Sequence, residues 1–101
     1  MDIKSKITFK SGFSADSNFK AYFLPGLNKV EIIGRVNGSF TAGTTIWATL
    51  NSAYVSSYTY WFPICNPDYK GHIAVNTDGT INVTIDIAQS SIRGIHIEYY
   101  L

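Results

Sequence analysis

Between Thr80 and Ile87 the chain alternates without a fault: Ile81, Val83, Ile85 and Ile87 against Thr80, Asn82, Thr84 and Asp86. A period of two sends the four branched side chains to one face of a sheet and the polar ones to the other. Thr77-Asp78-Gly79 precedes this run, and an Asp-Gly pair accepts the positive φ of a tight turn. The same grammar recurs along nearly the whole chain. Ile7 to Lys10 ends at Ser11-Gly12, and Lys20 to Leu24 ends at Pro25-Gly26. Lys29 to Val36 sets Val30, Ile32, Gly34 and Val36 against Lys29, Glu31, Ile33 and Arg35. Asn37-Gly38 then reads as a turn, because both residues accept positive φ. Ala42-Gly43 reads as another, ahead of the β-branched run Thr44 to Leu50.

Further on, Tyr58, Tyr60, Phe62 and Ile64 share one face of a strand, with Thr59, Trp61, Pro63 and Cys65 on the other. Pro63 marks an edge strand or a bulge, since proline cannot donate to a ladder. Asn66-Pro67-Asp68 reads as a turn. Gly71 to Asn76 sets Ile73 and Val75 against His72 and Ala74. Ala88 to Ser91 reads as a polar connector. Ile92 to Leu101 closes the chain, with Ile95, Ile97 and Tyr99 on one face and His96, Glu98 and Tyr100 on the other. Phe13 to Phe19 and Asn51 to Ser57 read as loops. Nothing keeps a helical period over three turns. The expectation is an all-β chain, an antiparallel β-sandwich or jelly-roll-like barrel of about eight strands. Its 101 residues suit a single domain spanning 1–101.

Composition narrows the function classes. Charged residues make up 15% of the chain, against about a quarter in an average protein. Net charge is +1 and no Lys/Arg run exists. Binding through phosphate neutralisation, on nucleic acid or on an anionic membrane, is therefore not expected. The single cysteine, Cys65, allows no internal disulfide and lies in an apolar stretch, so it reads as a small buried side chain. No apolar run is long enough to span a bilayer. Met1-Asp2-Ile3-Lys4-Ser5-Lys6 has no apolar region behind its charges, so no signal peptide is expected.

No catalytic set stands out. Asp68 and Asp78 fit turns, and Glu31, Asp86 and Glu98 fit solvent faces of strands. A glycosidase needs two carboxylates across a cleft, and nothing points to such a pair. His72 and His96 have no His, Cys or Asp at metal-ligand spacing, so no metal is expected. No nucleophile elbow or glycine-rich phosphate loop occurs, so no enzyme activity and no cofactor are expected. Asn37-Gly38-Ser39 and Asn82-Val83-Thr84 match a glycosylation sequon but read as turn and strand chemistry. The aromatic side chains remain, at 15% of the chain. Trp47, Tyr54, Tyr58, Tyr60, Trp61, Tyr69, Tyr99 and Tyr100 exceed the need of one small core. A flat apolar ring with a polar handle suits sugar faces, and equally suits subunit interfaces.

The order of these signals resembles the C-terminal receptor-binding or baseplate modules of tail fibres from phages and prophages of Gram-positive bacteria. The residues that carry the resemblance run almost end to end. They are Ile7-Thr8-Phe9-Lys10-Ser11-Gly12-Phe13-Ser14-Ala15, Val30-Glu31-Ile32-Ile33-Gly34-Arg35-Val36 and Ala42-Gly43-Thr44-Thr45-Ile46-Trp47-Ala48-Thr49-Leu50. Phe62-Pro63-Ile64, Gly71-His72-Ile73-Ala74-Val75 and Asp78-Gly79-Thr80-Ile81-Asn82-Val83 follow, ahead of a terminal strand ending in tyrosine. The family usually continues Leu-Pro-x-Gly-Tyr-Arg-Pro, whereas Leu50-Asn51-Ser52-Ala53-Tyr54-Val55-Ser56 keeps only the tyrosine.

The resemblance implies a β-sandwich or jelly-roll-like module at the C-terminus of a longer tail-fibre or baseplate protein. It further implies a homotrimer on the virion, acting outside the host cell, that binds a host cell-wall saccharide. On that reading the saccharide lies on an aromatic platform. The candidates are Trp61, Tyr69, His72 and Asp68, with Trp47 and Tyr54 behind them. Two other readings stay open: a structural domain holding other tail or baseplate proteins, and a cellular carbohydrate-binding module.

Overall fold

The computed structural model describes residues 1–101. Nine strands form two antiparallel sheets. Their ranges are β1 Ile7–Phe9, β2 Ser14–Ala15, β3 Lys20–Leu24, β4 Lys29–Phe40, β5 Gly43–Leu50, β6 Tyr60–Pro63, β7 Gly71–Val75, β8 Thr80–Ile85 and β9 Gln89–Tyr100. The only helical pieces are single 3-10 turns at Lys4–Lys6 and Ser52–Tyr54. One sheet has the order β1-β5-β8-β7-β6. In the other, β4 pairs with β2 and β3 on one edge and with β9 on the other. The chain is thus an all-β sandwich, as the period-two pattern predicts.

The core lies between the sheets and is built from the inward half of each alternation. Ile81, Val83 and Ile85 of β8 face it, with Ile73 and Val75 of β7, Val30, Ile32 and Val36 of β4, and Ile92, Ile95, Ile97 and Tyr99 of β9. A single cluster of 22 buried residues joins the two layers. Burial of branched aliphatic side chains contributes about 1.5–3 kcal/mol each.

Three β-bulges decide where the alternation breaks. In β5 the register with β8 shifts between Ile46 and Ala48, so Trp47 is the extra residue. Trp47 and Ala48 are consecutive and both fully buried. In β4 and β9 two shifts compensate each other, one between Gly34 and Val36 and one between Asn37 and Phe40. The Asn37-Gly38 pair, expected as a turn, therefore lies inside a twelve-residue strand. The reason is packing: a Cβ on Gly38 would stand 2.2 Å from the Phe13 ring, which rests on Phe40 with centroids 5.0 Å apart. The glycine admits an aromatic ring rather than reversing the chain.

Several other expectations change. Phe13 to Phe19 is not simply loop: β2 lies within it, and Phe19 is buried against Phe9. Ile87 lies beyond the end of β8 and is 53% exposed, so only three of the four branched residues reach the core. Tyr58 lies outside β6 and is exposed, whereas Tyr60 stacks on Tyr99 at 5.4 Å and 14°. Cys65, expected to be buried, is exposed. Gln89 already belongs to β9 rather than to a connector. Pro63 does sit in an edge strand, β6. The C-terminus is tied in, because Leu101 donates to the Asn28 carbonyl and Asn28 Nδ2 donates back to the Leu101 carbonyl.

Candidate functional site

The five strands of the larger sheet contain no Lys, Arg, Asp or Glu at all. The four strands of the other sheet carry Lys20, Lys29, Glu31, Arg35, Arg93 and Glu98. The charge is thus divided by sheet, and the two outer faces of the sandwich differ in chemistry.

Register builds the uncharged face. Directly opposed residues in an antiparallel ladder share a face. Trp61 opposes Ala74, Ala74 opposes Asn82, and Asn82 opposes Ile46. That row crosses β6, β7, β8 and β5. The next row is Pro63, His72, Thr84 and Thr44. Trp61 is 65% exposed, Ile46 is 38% exposed and Ala74 is almost fully covered between its neighbours. His72, Asn82 and Thr84 are half-buried. Thr44 and Thr84 satisfy each other at 2.9 Å, while the His72 ring and the Asn82 amide bond to no group of the chain. A large exposed ring and free polar side chains therefore meet on one flat surface. A shallow groove of about 390 Å³, lined by Lys70, Gly71, His72, Thr84, Ile85 and Asp86, adjoins its end.

Of the six candidates, the structure brings only Trp61 and His72 together. Trp47 is fully buried beside Phe9, ring centroids 5.9 Å apart, and its indole N–H has no partner. The β5 bulge turns it inward, into the core and away from the outer face of the sheet. Tyr69 is 5% exposed, and burial raises the pKa of its phenol. It is a core residue under the Cys65–Asp68 loop. Tyr54 lies in the second 3-10 turn, its ring on Phe23 at 5.4 Å and its carbonyl accepting the Tyr99 hydroxyl at 2.6 Å. Asp68 is exposed, but on a different groove, with Cys65, Asn66, Pro67, Arg93 and Gly94. Asn82, Thr84 and Ile46 are not among the expected candidates, because their place on the same outer face as Trp61 follows from strand order rather than from sequence spacing.

Two further clusters emerge. Glu31 and Glu98 are direct cross-strand partners on the charged sheet, and with His96 they offer ligand atoms within 4.8 Å of one another. Like charges in that position repel. The Lys29 ammonium answers them, 2.8 Å from Glu98 and 3.6 Å from Glu31, and it holds the Glu98 carboxyl below its ordinary value, with a smaller contribution from His96. The cluster already holds its own cation. The second cluster is a groove of about 320 Å³ at the β6–β9 edge of the sandwich, where Tyr58, Tyr60, Tyr100 and Leu101 meet Val55. Tyr58 and Tyr100 are 71% and 57% exposed.

Comparison with protein-family models, with curated proteins and with solved structures returned no match.

Proposed function

We propose that the chain is a non-catalytic adhesion module that binds a host cell-wall saccharide on the outer face of its five-stranded sheet. The observation that carries this reading is the exposed Trp61 ring, set on an uncharged sheet beside the free polar groups of His72 and Asn82. A sugar presents an apolar ring face and a rim of hydroxyls. Trp61 suits the first, and the imidazole and amide suit the second. The resemblance to tail-fibre tips supplies the setting, a phage tail with several copies of the module. Several weak sites on one particle give high avidity without a deep pocket. Sedimentation with purified Gram-positive cell walls tests the reading. The wild-type protein should co-sediment, and Trp61→Ala should stay in the supernatant while keeping its fold. Equal co-sedimentation of the two would remove Trp61 from the site.

A second reading, a tail-assembly domain, draws on the Tyr58, Tyr60, Tyr100 and Leu101 groove. Exposed tyrosines beside the apolar Val55 and Leu101 side chains suit a protein partner or a neighbouring subunit. In a homotrimer both surfaces have work: the tyrosine edge joins subunits and the Trp61 face meets the wall.

A further inference from the structure

We infer that the Trp61 face takes the interior of a linear, uncharged polysaccharide, rather than an anionic wall polymer or a chain end. The inference rests on the saccharide reading above and adds the class of saccharide to it.

Charge comes first. A phosphate- or carboxylate-bearing polymer is held by Arg or Lys, whose charge-assisted bonds offset the loss of its hydration. None of the five strands offers one. The nearest cations by register are Lys10, which continues the β1–β5 ladder opposite Trp47 beside the Ile46 end of the surface, and Lys70, one residue before β7 at the end of the groove. Lys70 shares that end with Asp86, whose carboxylate accepts the Lys70 backbone N–H at 2.8 Å. An anion arriving there meets a carboxylate as well as an ammonium. The surface otherwise presents hydroxyls from Thr44 and Thr84, the Asn82 amide and the His72 ring. These pair with neutral hydroxyl and acetamido groups.

Shape comes second. The row Trp61, Ala74, Asn82 and Ile46 crosses four adjacent strands, hence about 14 Å at the ordinary inter-strand spacing. Ala74, 3% exposed, keeps the middle of the row low between the Trp61 ring at one end and Ile46 at the other. A site that reads a terminal sugar needs a wall to stop the chain. Here β6 is the edge of the sheet on the Trp61 side, so no further strand of this chain rises beyond Trp61 to stop the row. A chain lying across the strands passes over Trp61 and continues beyond it.

The test is a microbial glycan array with neutral and anionic saccharides in length series, probed with wild type, Trp61→Ala and Asn82→Ala at low and high salt. Both side chains lie on the surface, so the variants should fold; circular dichroism checks that. The expected result is binding to neutral linear chains that strengthens with length until the row is covered. It should persist when the terminal sugar is capped, change little with salt and fall at least about tenfold in Trp61→Ala. Binding confined to anionic glycans and lost at high salt would overturn the uncharged class. Equal binding of mono- and oligosaccharides, or loss on capping the end, would overturn the interior mode. In those cases the saccharide reading stands while the inference falls. No wild-type binding to any glycan would sink both.

Discussion

At the scale of single residues, the two tryptophans have opposite fates. Trp47 is wholly buried and Trp61 is 65% exposed. Acrylamide should therefore quench Trp61 emission strongly and leave a blue-shifted Trp47 component, and Trp61→Phe should remove the quenchable part. Trp47→Ala should cost about 3–5 kcal/mol in urea unfolding, as for other large buried rings. Trp61→Ala should stay within about 0.5 kcal/mol of wild type, as surface changes do. The outward direction of Trp61 was legible in the alternation of its strand. The inward direction of Trp47 was not, because a bulge adds a residue without leaving a mark in the pattern. Asp78 behaves as its turn position predicts. Its carboxylate accepts the Thr80 hydroxyl at 2.7 Å and the Thr80 backbone N–H at 3.0 Å, which lowers its pKa below the ordinary 3.8. A group with a depressed folded pKa contributes fully above its unfolded pKa and loses that contribution as pH falls through the folded one. Thermal melts of wild type and Asp78→Ala should thus differ most above about pH 4 and converge in stronger acid.

At the scale of elements, Gly34 marks where the backbone ahead of β3 comes close to β4. Gly34 has φ +132, and a Cβ there would stand 2.5 Å from the Phe19 backbone Cα. Gly34→Ala should cost about 1–3 kcal/mol, from backbone strain and the clash together. Gly26 faces open space with an ordinary φ, so Gly26→Ala should be close to neutral in the same denaturation series. Strand existence and facing were readable wherever apolar and polar residues alternate, as in β7, β8 and most of β9. The pair Asn37-Gly38 misled, because the same freedom that forms a turn also lets a ring lie on the backbone. β2 was hidden because two residues are too few to show a period, and its pairing depends on Asn37 and Val36 across the ladder.

At the scale of the whole molecule, the decisive property is the division of charge between the sheets. Every Lys, Arg, Asp and Glu involved is visible in the sequence, but their segregation is not. It appears only when strand order assigns β5, β6, β7 and β8 to one layer and β4 and β9 to the other. For the same reason Trp61 and His72 could be named in advance, whereas Asn82 and Thr84 could not. The tyrosine edge gives a separate expectation. Light scattering should report the mass of three chains, and Tyr100→Ser should shift it toward one chain without abolishing glycan binding by the single copy. The most direct measurement of the central claim is amide chemical-shift mapping with the saccharide fraction released from Gram-positive cell walls. The expected shifts cluster on Trp61, His72, Asn82 and Thr84 and vanish in Trp61→Ala. Shifts confined to Tyr58, Tyr60 and Tyr100, or to the charged face around Glu31 and Glu98, would contradict the assignment of the uncharged sheet as the binding surface.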